Sequence, residues 1–192
     1  MLSHMLSLFR HEMSAHQTVP VVRDIVLVGG GHSHVQVLKS WGMRQQPGVR
    51  LTLISRDLDS PYSGMLPGCV SGAYGVDDIH IKLSPLCNFA NARFIQGDVT
   101  GLDLKAQSVC LADRPPIRFD LLSLNSGAVP VQPQADAITV KPISEFLPKW
   151  HQVQAQICAG QTLVIVGAGA GGVELAMAAR AVLDRGVNIV LV

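Results

Sequence analysis

Two segments have the composition and spacing to do chemistry: Gly29-Gly30-Gly31 and Gly167-Ala168-Gly169-Ala170-Gly171-Gly172. A glycine turn lets the backbone approach a pyrophosphate closely. A helix that starts straight after it aims unpaired N–H groups and a positive dipole at the phosphate charge. The second segment satisfies G-x-G-x-x-G in full through Gly167, Gly169 and Gly172. The first satisfies G-x-G through Gly29 and Gly31, but His34 stands at the third glycine position, where a bulky ring needs room between helix and strand. His32, Ser33 and His34 open the helix that follows, so they join the glycines as candidate nucleotide contacts. H-x-H is also a metal-ligand spacing, yet beside a phosphate site a phosphate or structural role is the better reading. A lone match of this kind is weak and gains weight only between a buried strand and an amphipathic helix. Both matches have that context.

The first loop follows Asp24-Ile25-Val26-Leu27-Val28, a short apolar run of the kind a parallel strand buried on both faces requires. Val35, Leu38 and Trp41 then recur at helical spacing, and residues 49–55 form a second strand after Pro47-Gly48. Strand, glycine turn, helix and strand within about thirty residues make a βαβ unit. An acidic residue ordinarily holds the ribose hydroxyls at the end of that second strand. Here Ser55-Arg56-Asp57 occupies the place, and either Ser55 or Asp57 could serve.

Residues 60–68 are punctuated as a loop, with a short helix after it. Residues 93–119 read as a small antiparallel meander, and 119–125 as another buried strand ended by Ser126-Gly127. A connector over 130–142 leads to an amphipathic helix marked by Ile143, Phe146, Leu147, Trp150, Val153 and Ile157, with Ser144 as its cap and Pro148 acceptable only in the first turn. The opening pattern then repeats: strand 162–166, glycine turn, helix 173–185 ended by Gly186, strand 187–192. The expected class is α/β with two Rossmann-like units: an extension over 1–22, a first dinucleotide domain over 23–135, a connector and helix over 136–160, and the start of a second domain over 161–192. A Rossmann unit needs a third strand to form its crevice. The second unit is therefore expected to be incomplete, with the position that selects NAD or NADP falling just after Val192.

Forty-eight per cent of the 192 residues are hydrophobic and 15% charged, ample for a packed core. Fifteen basic and fourteen acidic residues leave a net charge of +1, and no charge run or aromatic–arginine patch supports a nucleic-acid surface. Cys69, Cys87, Cys110 and Cys158 lie far apart, without CxxC or zinc spacing, which suits reduced thiols in a cytoplasmic protein and no metal site. No apolar stretch approaches the ~18 residues of a membrane helix. The opening twenty residues lack the apolar core and cleavage site of a signal peptide. His4, His11 and His16 could bind a metal there, but a disordered extension is the plainer reading.

With both loops, Phe119-Asp120-Leu121-Leu122-Ser123-Leu124-Asn125-Ser126-Gly127 resembles the D-x-L-x-x-A-T-G segment of the pyridine nucleotide-disulfide oxidoreductase superfamily, in the branch of type II NADH dehydrogenases and sulfide:quinone oxidoreductases. The resemblance implies FAD on the first unit and NAD(P)H on the second. It places Asp98 and Val99 where relatives pair backbone groups with the adenine, Ser126-Gly127 in the Thr-Gly position, and Glu174 where a glutamate nears the nicotinamide and flavin rings. Glu174 has an equal alternative as a first-turn acid favoured by the helix dipole. Val28 to His34, Pro61 to Gly68 and Val140-Lys141-Pro142 further resemble the flavoprotein module that precedes selenide, water dikinase in some bacteria, which makes such a kinase domain an alternative partner to a quinone or other small acceptor.

The departures from the family pattern are informative. The C-x-x-x-x-C pair of disulfide reductases is missing, and Ser63-Gly64-Met65 puts serine where peroxide-type relatives keep a cysteine. Cys69 is either a thiol facing the flavin or a packing residue, and packing is the better reading because free cysteine usually behaves as a small apolar side chain. The implied activity is transfer from NAD(P)H through FAD to an acceptor without a protein disulfide. Tyr62, Ser63 and Met65 either line that pocket or pack the loop; His80 and Lys82 are placed near the acceptor with no fixed direction. Relatives complete the flavin site with a late Gly-Asp segment, so these residues alone are expected to retain FAD weakly. Peripheral attachment of the whole protein to a membrane stays open.

Overall fold

The computed structural model describes residues 19–128 and 137–192. Its elements run β1 (Arg23–Val28), α1 (His32–Met43), β2 (Val49–Ser55), β3 (Asp59–Pro61), α2 (Leu66–Val70), β4 (His80–Lys82), α3 (Leu83–Phe89), β5 (Arg93–Gln96), β6 (Val99–Asp103), β7 (Ser108–Leu111), β8 (Ile117–Arg118), β9 (Leu121–Leu124), α4 (Ile143–Gln156), β10 (Thr162–Ile165), α5 (Ala170–Val182) and β11 (Asn188–Leu191). Expectations for His4, His11, His16 and most of the extension fall outside the described residues, as does part of the 130–142 connector. Val22, assigned from sequence to the extension, is tied down: its N–H donates to the Gly48 carbonyl at 2.8 Å.

The main sheet has the order β5-β2-β1-β9, and every pairing in it is parallel. Alternation explains why β1 and β2 carry apolar residues on both faces. Leu27, Leu51 and Leu53 point to one face and meet Val35 and Leu38 of α1, Leu83 and Cys87 of α3, and Ala90 just past it. Val26, Val28 and Ile54 point to the other face and meet Ile95, Val109 and Leu111. The sheet is thus covered by helices on one side and by the antiparallel β6-β7-β8 meander on the other. Burying a side chain as fully as Leu53 or Ile54, both at 0% exposure, contributes about 1.5–3 kcal/mol each.

Four details differ from the sequence reading. First, β5 was expected in the meander but pairs parallel with β2, because α3 packs against α1 and acts as the crossover that returns the chain to the same sheet. Second, Ser144 does not cap α4. Pro142 occupies the cap position, and its carbonyl accepts from Glu145 and Phe146 N–H at 3.1 and 3.2 Å. Third, Pro148 lies inside α4, past the first turn, and is tolerated because Ile143, Phe146, Leu147 and Trp150 bury the helix face around it. Fourth, α5 ends at Val182 rather than near Arg185. Arg180 donates to the carbonyls of Leu183 at 2.9 Å, Val187 at 2.6 Å and Asp184, which replaces the helix bonds and lets Leu183 turn into the core.

A second parallel pair, β10-β11, carries α5. This unit packs on the first through one apolar cluster: Leu66, Cys69, Val70 and Ile79 meet Ile143, Phe146, Leu147 and Trp150 of α4 and Ala178, Ala179, Leu183 and Val187. Among the described residues, no helix is long and apolar enough to cross a membrane.

Candidate nucleotide-binding site

Both glycine loops sit at the carboxyl ends of parallel strands, and they share one geometry. Gly29 and Gly167 have φ of +94° and +111°, values that L side chains rarely adopt. Each N–H donates to the neighbouring strand, Gly29 to Ile54 at 2.8 Å and Gly167 to Val192 at 2.7 Å. Two residues on, Gly31 and Gly169 take the extended conformation and cap α1 and α5 without any side-chain cap. Among the described residues, no acceptor takes the N–H of Gly31, His32 or Ser33. Those donors and the helix dipole are what a pyrophosphate requires.

The first loop lies where the strand order reverses, between β1 and β9, which is where open parallel sheets bind ligands. Its walls come from the ends of the two flanking strands, β2 and β9. Ser55, ending β2 and 7% exposed, has its Oγ 3.1 Å from where a Cβ on Gly30 would sit. The Ser126 Cα is 2.8 Å from the corresponding point on Gly29, and the Asn125 side chain is 2.5 Å from that on Gly31. The Asn125 Nδ2 is buried without a hydrogen-bond partner. A cradle that a methyl group would fill, free amides and an orphaned carboxamide donor fit an acceptor-rich ligand such as a dinucleotide phosphate. Asn125 replaces the alanine of the D-x-L-x-x-A-T-G pattern, a departure that would have flagged it from the sequence.

His34 resolves the missing third glycine. In the second loop, Gly172 lies against the carbonyl oxygen of Gly167, leaving no room for a Cβ. In the first loop the same spacing brings His34 to the carbonyl of Gly29, with Nδ1 at 2.7 Å and Nε2 2.9 Å from Ser123 Oγ. A carbonyl only accepts, so Nδ1 carries the proton, and in the neutral ring Nε2 accepts from Ser123. His34 is 2% exposed and bridges the loop to β9, so it faces the sheet rather than the phosphate position. Both its nitrogens are engaged, which removes the metal-pair reading with His32. That ring stacks instead on Tyr62, with centroids 4.6 Å apart and planes 16° from parallel. Sequence reasoning missed Ser123 and this stack, because neither follows from local spacing.

The remaining candidates are spread more widely. Gly127, with φ +80°, and Ser126 are exposed just past β9. Arg56 and Asp57 are exposed and meet each other at 3.5 Å, while the Arg56 carbonyl accepts from Gln96 at 3.2 Å beside the end of β5. The Asp98 carbonyl accepts from Ala112, and Val99 packs its side chain into the core, so it offers a ligand only backbone groups. Glu174 lies beyond the first turn of α5, where the helix dipole fades. It lines a cavity of about 310 Å³ with Ser63, Gly64, Pro67, Lys141 and Leu175, and forms no ion pair among the described residues. His80 Nδ1 is taken by the Val76 carbonyl at 2.5 Å, and neither His80 nor Lys82 lines that cavity.

Cys69 and Cys87 have the character of packing residues. Cys69 is 8% exposed in the cluster beneath the cavity, and burial, then Asp78, push its thiol pKa up. Burial pushes Cys87 up to about 11. Cys158 is exposed. With iodoacetamide at neutral pH, Cys158 is expected to alkylate at least tenfold faster than Cys69 or Cys87 by peptide mass mapping; equal labelling of Cys69 would contradict this arrangement.

The family model for pyridine nucleotide-disulphide oxidoreductases matches residues 23–192. The chain belongs to that family. The NADH dehydrogenase-like protein YutJ of Bacillus subtilis (strain 168) is 30% identical over 182 residues, covering 88% of this chain and 48% of the relative. The sulfide-quinone reductase of Aquifex aeolicus (strain VF5) is 29% identical over 111 residues, 56% of this chain and 25% of the relative. Among solved structures, reduced CoADR-RHD of Bacillus anthracis superposes with a TM-score of 0.75 at 18% identity, over 88% of this chain and 32% of that one. This family member thus spans less than half the length of either curated relative.

Proposed function

We propose that the protein is an FAD-dependent oxidoreductase that passes electrons from NAD(P)H to a quinone or other small acceptor without a protein disulfide. FAD is assigned to the first glycine loop and the nicotinamide nucleotide to the second. The observation that carries this reading is the pair of matched loops, each with free helix N-terminal amides at a parallel-strand end.

In the first loop, Gly31, His32 and Ser33 offer N–H groups to the pyrophosphate. Ser55, or Asp57 beside Arg56, offers polar atoms to the ribose, Asp98 and Val99 offer backbone groups to the adenine, and Ser126 and Gly127 close the near wall. Flavin, when bound, supplies two-electron transfer between a nicotinamide and an acceptor. The chain's own contribution is a cavity lined by Ser63, Lys141 and Glu174 among otherwise small or apolar residues, which offers a few polar contacts beside apolar walls to a flat ring. No thiol serves there: Ser63 lines the cavity, while Cys69 is buried with its pKa raised. The names of the relatives, one for NADH and one for sulfide and quinone, support a reduced nicotinamide donor and a quinone acceptor.

The test uses the protein expressed from its whole reading frame. Flavin bleached anaerobically by NADH or NADPH is expected to recover its colour on addition of a short-chain quinone. Cys69→Ala is expected to keep the rate within twofold, and a loss beyond tenfold would return the thiol to the mechanism. The selenide, water dikinase reading is supported by the fact that Ser63, Gly64, Pro67, Val140 and Lys141, all from its motifs, line this one cavity. It predicts bound FAD with only slow NADH or NADPH oxidation in the protein alone, and a rate that rises when such a kinase domain is present.

A further inference from the structure

The stack of His32 on Tyr62 joins the first glycine loop to the wall of the cavity between the two units. His32 is the first residue of α1, and the helix is held by the buried Val35 and Leu38. Tyr62 is held from its own side. Its N–H donates to Ile79 at 2.7 Å, its carbonyl accepts from Met65 at 3.0 Å, and the preceding Pro61 pairs with His80 in the β3-β4 ribbon. Gly64 passes close over the ring, since a Cβ there would lie 3.0 Å from Tyr62 Cζ. The next residues, Ser63, Gly64, Leu66 and Pro67, form one wall of the cavity that Glu174 faces.

The glycines of the loop have no side chains with which to make this connection. Tyr62 remains 41% exposed, so core packing does not force the rings together. Near-parallel rings with centroids 4.6 Å apart lie in the range of attractive aromatic stacking, a specific contact in its own right. We propose that the His32–Tyr62 stack is a latch fixing the 63–67 segment relative to the first glycine loop. Both residues are then positioning residues for a nucleotide whose phosphates sit on the loop and whose ring reaches the cavity. The inference rests on the flavin reading above.

Two readouts on the full-length protein separate the two ideas. In nucleotide-free protein, the ring-proton resonances of His32 should be shifted by the Tyr62 ring, and should move to ordinary positions in Tyr62→Leu. The dissociation constant for FAD should then rise about two- to tenfold in Tyr62→Leu and in His32→Ala, the effect of one aromatic pair. Tyr62→Phe, which keeps the ring, should restore both the resonance shift and the affinity lost in Tyr62→Leu, and the double variant should be no weaker than either single one. Thermal midpoints close to the parent's show that the variants are folded, and His32→Phe serves as a second ring-keeping variant should Tyr62→Leu fail that check. An unshifted His32 resonance in the parent, an unchanged affinity in Tyr62→Leu, or an equal loss in Tyr62→Phe would each overturn the latch. A shifted resonance in a parent that binds no FAD would instead overturn the flavin reading, and the latch's role with it.

Discussion

Gly29→Ala is expected to cost the protein its flavin and more than about 2 kcal/mol of stability. Alanine at a φ of +94° carries the penalty of left-handed backbone, roughly 1–2 kcal/mol. Its Cβ would also run into the Asn125 carbonyl and sit 2.8 Å from the Ser126 Cα, both backbone atoms that cannot step aside. Relief comes only by separating β1 from β9, which widens the crevice at the switch point. Gly30→Ala is the contrast for stability: its Cβ meets only side-chain atoms, the end of Leu83 at 2.6 Å and Ser55 Oγ at 3.1 Å, which can shift where backbone cannot. Urea unfolding measures the stability of both variants, and the flavin content after desalting measures Gly29→Ala. Equal destabilisation of the two would contradict the assigned loop geometry.

His34→Gly restores G-x-G-x-x-G in the first loop and is nevertheless expected to destabilise the protein by about 3 kcal/mol. The estimate combines two lost hydrogen bonds, the void left by a buried ring and glycine in a helix. Ser123 Oγ and the Gly29 carbonyl lose their partner together. The same residue sets a pH dependence. Burial holds the His34 pKa below its ordinary 6.5, with the Gly29 bond pulling the other way. Between the folded and unfolded pKa values the unfolded chain therefore binds more protons. This contribution is complete above pH 6.5 and is lost as the pH falls toward the folded value. His34→Gly should flatten that limb of the stability profile. A variant as stable as the parent, or a parent profile flat from pH 7 down to 5, would show that the bridge does not matter.

The sequence revealed the units because the features that encode them are local. A strand buried on both faces is apolar on both, as in Val26 to Val28, and a tight turn with positive φ selects glycine, as at Gly29 and Gly167. What it concealed depends on contacts between distant segments. Whether 93–96 joins the meander or the main sheet is decided by α3 packing on α1, which no periodicity within β5 encodes. The end of α5 is set by Arg180 reaching three carbonyls, so glycine at 186 was a misleading stop signal. His34 read as a defect in the motif because its compensation lies at Ser123, 89 residues along the chain. In the candidate site, the glycines and Ser126 were legible by type. Asn125 was marked only by its departure from the alanine of the family pattern, and the stacking partner of Tyr62 becomes visible only once the 60s segment is folded against the loop.

The most direct measurement of the central claim is the visible spectrum of the desalted whole protein, before and after anaerobic addition of NADH or NADPH. Oxidised flavin bands are expected that bleach with one of the two nucleotides and that are missing in Gly29→Ala. A colourless parent protein that also fails to bind added FAD would contradict it, and both glycine loops would then need a different ligand.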